Sequence, residues 1–241
     1  MAELEDSSVG RLFGALFSPA KTFRSIAERP TWAVALVALL IVSTAVGVLA
    51  NQRIDKHDLR QLVQERIEKS RGGQATPEQV EQAMVFTEKA NAVGRWLIPI
   101  VGAVVYLLIA LLFFMAFRFF AGSDLSYKTS FAVTLHGFLP GLVGGLLTLP
   151  VILSREHVNL KDAQSGNLLA SNLGAFAPES LGTAARSLLS SLDFFSLWAV
   201  VLLILGFRTA AKVSTATATT VVVALWALYV AAKVGLAVLF T

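Results

Sequence analysis

The residue with the most chemistry to explain in this chain is a lysine at membrane depth. Lys233 stands in Tyr229-Val-Ala-Ala-Lys233-Val-Gly-Leu, inside an otherwise apolar run, where an unpaired ammonium costs at least ~3 kcal/mol. Asp193 opens the preceding apolar run, and a tight turn centred near Lys212 joins the two runs. Asp193 lies about 19 residues before that centre and Lys233 about 21 after it, so a rise of 1.5 Å per residue brings both to nearly the same depth. An intramembrane Asp193–Lys233 ion pair is the expectation. The same lysine can instead snorkel to the headgroups or serve a transport path. His136, a few residues before Pro140, reads as a hydrogen-bonded structural histidine or, in a transporter, as part of a polar path. His57 beside Asp58 and His157 beside Glu156 have no third ligand at metal spacing, so neither a metal nor a cofactor is expected. Ser126, Ser190 and Ser191 lack a histidine at recognisable spacing, and no phosphate loop, nucleophile elbow or HExxH occurs. The pattern is not that of an enzyme.

These residues are carried by five apolar stretches, roughly residues 31–50, 96–120, 130–153, 192–208 and 216–240. A hydrocarbon layer about 30 Å thick is crossed by about 20 helical residues, and lipid leaves helices as the only way to satisfy the backbone of such segments. The composition agrees, with 55% hydrophobic residues and a mean hydropathy of +0.67. The fold class is therefore all-α, a polytopic membrane protein with five transmembrane helices. Residues 31–241 form that domain, with helical loops at 51–95 and 154–191. No cysteine is present, so the redox compartment is not legible. The net charge of +4 has no basic run interleaved with aromatics, which favours the lipid bilayer over nucleic acid as a partner. Val48-Leu49-Ala50 could pass as a signal cleavage site, but the run before it is longer than a signal core, and retention as a span is expected.

Residues 1–30 read as an N-terminal amphipathic interfacial segment. Val9, Leu12, Phe13, Leu16 and Phe17 recur at helical spacing, Ser18-Pro19 restarts the helix, and Phe23 and Ile26 follow before Pro30. Arg11, Lys21, Arg24 and Arg29 are expected to form its cationic face among the headgroups; packing on the end of the bundle is compatible with this. In the first long connection, Gly72-Gly73 breaks a helix and Thr76-Pro77-Glu78-Gln79 makes a capping box. In the second, residues from Ala177-Pro178-Glu179 onward suggest an interfacial or re-entrant helix. Gly141, Gly144 and Gly145 are candidate partner contacts, since small residues admit close helix approach. Asp124, Tyr127 and Lys128, in the turn before the third span, are candidate partner contacts on the cytoplasmic side. Lysine and arginine counts near the span ends lean towards the loop side at 51–95 and 154–191, so charge alone does not set orientation.

Two stretches resemble the Yip (Ypt/Rab GTPase-interacting protein) domain family, in particular its bacterial branch. One is Leu16-Phe-Ser-Pro19-Ala-Lys-Thr-Phe23-Arg-Ser-Ile26 with Pro30-Thr-Trp32; the other is Gly122-Ser-Asp124-Leu-Ser126-Tyr127-Lys128-Thr-Ser-Phe131, followed by Pro140. Leu192-Asp193-Phe-Phe-Ser-Leu-Trp198 and Lys233-Val-Gly235 are similar to that branch as well. The resemblance implies a non-enzymatic protein with its N-terminus cytoplasmic and its C-terminus periplasmic or extracellular. A bacterial inner membrane offers no Rab system. There the resemblance implies an accessory or assembly factor whose partners are other membrane proteins, ABC transporter subunits among them, or further copies of itself. The rival reading, from a different class, is a small transporter or lipid-translocating protein using Lys233, Asp193 and His136.

Overall fold

Inside hydrocarbon the hydropathic runs have no option but to coil, and the structure, a computed structural model describing residues 7–165, 168–178 and 180–239, is helical throughout those residues apart from turns and two isolated β-bridges. The parts of the expected segments at residues 1–6, 166–167, Glu179 and 240–241 lie outside the described residues. The N-terminal segment forms α1 (Gly10–Phe17) and α2 (Pro19–Glu28). The first span is α3 (Ala33–Gln52), followed by α4 (Lys56–Arg71) and α5 (Pro77–Phe119). The third apolar run divides into α6 (Tyr127–Gly137) and α7 (Leu139–Ser154). The second loop carries α8 (Leu160–Ser165), a 3₁₀ turn (Leu173–Phe176) and α9 (Thr183–Leu189). The C-terminal hairpin is α10 (Phe194–Ala210) and α11 (Thr215–Leu239).

Four units are long and apolar enough to cross a membrane: α3, α5, the α6–α7 pair and α11. The fifth apolar helix, α10, has 17 residues, the short end of the range that spans hydrocarbon. The expected single third span is bent at Phe138, because Pro140 has no N–H to give His136 and its ring crowds that carbonyl. The second span is the end of a much longer element. With 43 residues, α5 extends about 65 Å, twice the hydrocarbon thickness. Its start is the capping box foreseen in the sequence, with Thr76 Oγ1 accepting from Gln79 N and Gln79 Oε1 from Thr76 N. Gly72, at φ +68°, closes α4 in the left-handed region that glycine adopts without penalty.

The main core sits where α2, α5, α6, α10 and α11 meet. Phe207 stacks on both Phe113 and Phe117 with ring centroids 4.7 Å apart. Gly206 lets α2 and α6 close on α10; a Cβ there would stand 2.7 Å from Val133 Cγ1 and 2.9 Å from the Phe23 ring. The N-terminal elbow is therefore bolted to the bundle by Phe23 and Ile26, both fully buried, while Phe13 and Phe17 remain exposed for the interface. One expectation is corrected. Arg11 is not part of a headgroup-facing cationic surface: it is only 3% exposed. Its guanidinium donates to Arg29 O at 2.7 Å, Thr31 Oγ1 at 2.9 Å and Ser25 Oγ at 2.8 Å. The fork geometry of arginine matches three acceptors presented by the end of α2, and that outweighs solvation among headgroups.

Truncating Phe23 to alanine should lower stability by about 3–5 kcal/mol, and Gly206→Val should also destabilise because neither Val133 nor the Phe23 ring can retreat. Denaturant-induced unfolding in mild detergent, followed by circular dichroism, measures both; wild-type midpoints would refute the wedge.

Candidate functional site

Asp193 and Lys233 come together with Thr148, Ser171, Asn172 and Ser190 around one cavity of about 440 Å³. Its back wall is the start of α10, its sides are α7 and α11, and its roof is formed by Ala163, Leu169, Ser171 and Asn172. Asp193 caps α10: Oδ1 accepts from Ser196 N at 3.0 Å and from Ser196 Oγ at 3.3 Å. Oδ2 accepts from Ser171 Oγ at 2.5 Å. The roof is laced to this cap by backbone bonds, Phe194 N to Ser171 O at 3.0 Å and Leu173 N to Leu192 O at 3.3 Å. Asn172 Oδ1 in turn accepts from Ala175 N and closes the 3₁₀ turn.

Lys233 and Asp193 reach the same cavity, as their depths predict, but the expected ion pair takes another form. Lys233 Nζ donates to Ser190 Oγ at 3.0 Å and Ser191 Oγ at 3.2 Å, while the Asp193 oxygens are held by Ser171 and Ser196. The carboxylate acts on the ammonium across the cavity instead of touching it. The reason is local: an N-cap carboxylate is aimed at its own helix. Both serine hydroxyls donate to Ser187 O at 2.9 Å, so their lone pairs are left to accept from the lysine. Ser171, Asn172, Ser190 and Ser191 were not foreseen as a set. The available signal was the requirement that Lys233 find acceptors at its own depth.

The other candidate residues are distributed as follows. Gly144 is covered by the Phe195 ring, where a Cβ would meet Cδ2 at 2.9 Å, and Gly145 is covered by Val42, where a Cβ would meet Cγ1 at 2.6 Å. These two glycines serve close approach within the chain, which corrects their assignment to a partner helix. Gly141 has open space at its Cβ position and lines the cavity. Tyr127 spends its hydroxyl on Leu107 O at 3.0 Å and stacks on Phe131, so it fastens α6 to α5. Asp124 and Lys128 beside it are exposed. His136 is buried, with Nδ1 donating to Ala132 O at 2.8 Å, and it does not line the cavity. Among the described residues no group of three or more histidine, aspartate or glutamate side chains is placed to hold a metal ion.

Comparison with known families matches the Yip1 domain over residues 13–236, nearly the whole chain. No curated protein and no solved structure matches it.

Since Asp193 holds three donors and Lys233 two neutral acceptors, Asp193→Ala should cost about 1–3 kcal/mol of stability, and Lys233→Met clearly less. Unfolding midpoints of the two variants in detergent test this; equal losses would point to a direct pair.

Proposed function

The chain belongs to the Yip1 domain family, and from that membership we propose that it is a non-enzymatic accessory or assembly protein that docks another integral membrane protein. One observation supports this above the rest. The polar first half of α5 folds back on α4 as a hairpin with a core of its own, Val63, Val80 and Met84, and an Arg60–Glu81 ion pair at 3.5 Å. Being outside the apolar half of α5, this hairpin stands clear of the hydrocarbon. Yet Phe86, 73% exposed, and Val93 are uncovered on it. At 100° per residue they share one helix face with Leu97, Ile100 and Val104, which are also exposed. The stripe runs unbroken from the hairpin into the membrane. A partner that covers all of it must be both beside the hairpin and within the bilayer, which describes a membrane protein with an extramembrane part. The resemblance makes an ABC-type exporter the first partner to test.

The reading as a small transporter or lipid-translocating protein has weaker support. An internal charged route would need His136 on the path of Asp193 and Lys233, and His136 is sealed in the helix packing instead. The N-terminus is assigned to the cytoplasm, with the hairpin and the 155–191 loop across the membrane. That assignment rests on the family pattern, as does the bacterial inner membrane. The exposed Asp124 and Lys128 turn is then a cytoplasmic contact.

Affinity purification from native membranes in mild detergent should yield a stoichiometric membrane partner with the wild-type chain and lose it with Phe86→Ser/Val93→Ser, a change at exposed positions that leaves the fold intact. Retention of the partner by the double variant, or recovery of copies of this chain alone, would overturn the docking assignment.

A further inference from the structure

The cavity beside Lys233 has more hydrogen-bond donors than the protein uses. Lys233 carries three N–H groups, of which Ser190 and Ser191 accept two. Asn172 is only 4% exposed. Its Oδ1 is identified by the bond it accepts from Ala175 N, so its amide N–H groups are what remain, and no described residue accepts from them. The Tyr229 hydroxyl, on the cavity rim, is a further donor. The acceptors around the cavity already have partners: Asp193 Oδ2 accepts from Ser171 and Oδ1 from Ser196, while the Ser190 and Ser191 hydroxyls give their protons to Ser187 O and accept from Lys233. The Asn172 amide therefore presents its N–H groups to the cavity, beside a half-buried ammonium that faces neutral hydroxyls. Such a site calls for an anionic oxygen ligand with several lone pairs, and a phosphodiester supplies two non-ester oxygens for one negative charge.

The place of the cavity says where that ligand comes from. Lys233 lies 18 residues after the start of α11 at Thr215, about 27 Å along the axis, which is the far boundary of a hydrocarbon layer about 30 Å thick. Helices α7 and α11 both pack on α10 but hardly on each other. The gap between them opens sideways, past exposed Gly141 and Tyr229. A molecule entering through it comes from the bilayer.

We propose that this cavity is a binding site for the phosphodiester headgroup of a membrane phospholipid, with the phosphate taken by Lys233 and Asn172 and the acyl chains lying in the α7–α11 gap. Gly141 is the threshold: a Cβ added there meets no protein atom within 4 Å, so a side chain at this position takes up the site's open space. The assignment stands independently of the docking role of the α4–α5 hairpin.

The test uses the full chain in detergent micelles doped with phosphatidylglycerol or with diacylglycerol, read by native mass spectrometry. The expected result is a retained phosphatidylglycerol adduct and no diacylglycerol adduct. Lys233→Gln and Gly141→Leu should each weaken the adduct about tenfold or more, and Lys212→Gln, the same charge change at an exposed position in the turn at the opposite end of the hairpin, should leave it unchanged. Gly141→Leu keeps the lysine network intact, so its loss of lipid cannot be attributed to misfolding around Lys233, and circular dichroism verifies the fold. Equal adducts in wild type, Lys233→Gln and Gly141→Leu would overturn the site. So would an equal loss in Lys212→Gln. Calorimetric titration with inorganic phosphate separates the sources: Lys233-dependent phosphate binding as tight as that of the lipid would overturn the lipid assignment in favour of a soluble phosphorylated ligand.

Discussion

The cost of leaving a hydrogen-bonding group unpartnered in hydrocarbon, several kcal/mol for each, organises this molecule at every level. At the backbone it forces helices. At the hydroxyl-bearing side chains it selects neighbours. Thr148 and Thr209 bond carbonyls one turn back in their own helices, Gly144 O at 2.8 Å and Leu205 O at 2.9 Å. Ser130 and Tyr127 reach across from α6 to α5, to Ala110 O at 2.8 Å and Leu107 O at 3.0 Å. The interhelical bonds, spaced about one turn apart, fix both the distance and the rotation of α6 against α5. With charge added, the same cost draws Arg11 into the end of α2 and Lys233 onto two serines.

Once polar groups are bonded, lipid gives the helices no hydrophobic reason to associate, so contact area has to come from shape. Glycines provide it on both faces of the central α10. Gly206 takes the Phe23 ring at one end, and at the other Gly144 on α7 takes the Phe195 ring. Gly145, one residue on, turns α7 towards Val42 of α3. The bend at Phe138 makes these contacts compatible, since a straight third span could not follow α5 along its first half and α3 along its second. Gly141 lies between the bend and these contacts, and there alone in this stretch the small side chain leaves space instead of filling it.

The helices were legible because the signals for them are local. Hydropathy over about 20 residues, a capping box within four residues and glycines at φ > 0 need no knowledge of the rest of the chain. The length of α5 was legible only in pieces: Pro77 started one helix, Trp96 opened a span, and nothing between them ends either. Arg11 was misjudged because amphipathic spacing cannot distinguish a cation facing headgroups from one facing three acceptors brought in by the next helix. The polar cavity was half legible. Matching Asp193 and Lys233 by depth found the right place, but the serines lie in a loop whose path depends on the Asn172–Asp193 bridge, a tertiary fact. Gly144 and Gly145 were recognised as contact residues, and what they contact is again set by the fold.

The hairpin and the cavity share a support. Chain direction puts the end of α3, the start of α4, the end of α7 and the roof loop on the same side of the bilayer, and the structure joins them there. Ile54 bridges to Val158, Val158 N donates to Arg53 O at 2.7 Å, and the Arg53 guanidinium donates to the carbonyls of Leu153 and Arg155. Beneath that seam Ala50, Ile152, Val158 and Leu168 form a small core. The roof of the cavity hangs from one edge of this core and the hairpin rises from the other. A displacement of either must therefore repack the same four side chains or break the Arg53 clamp, because packed cores shift between discrete arrangements and do not stretch. The long α5 runs from the hairpin tip through the bilayer to the α6 turn, so one continuous helix connects the two faces. The chain between the N-terminal elbow and Lys233 thus builds one connected frame, with an uncovered stripe on one flank and a donor-rich opening on the other.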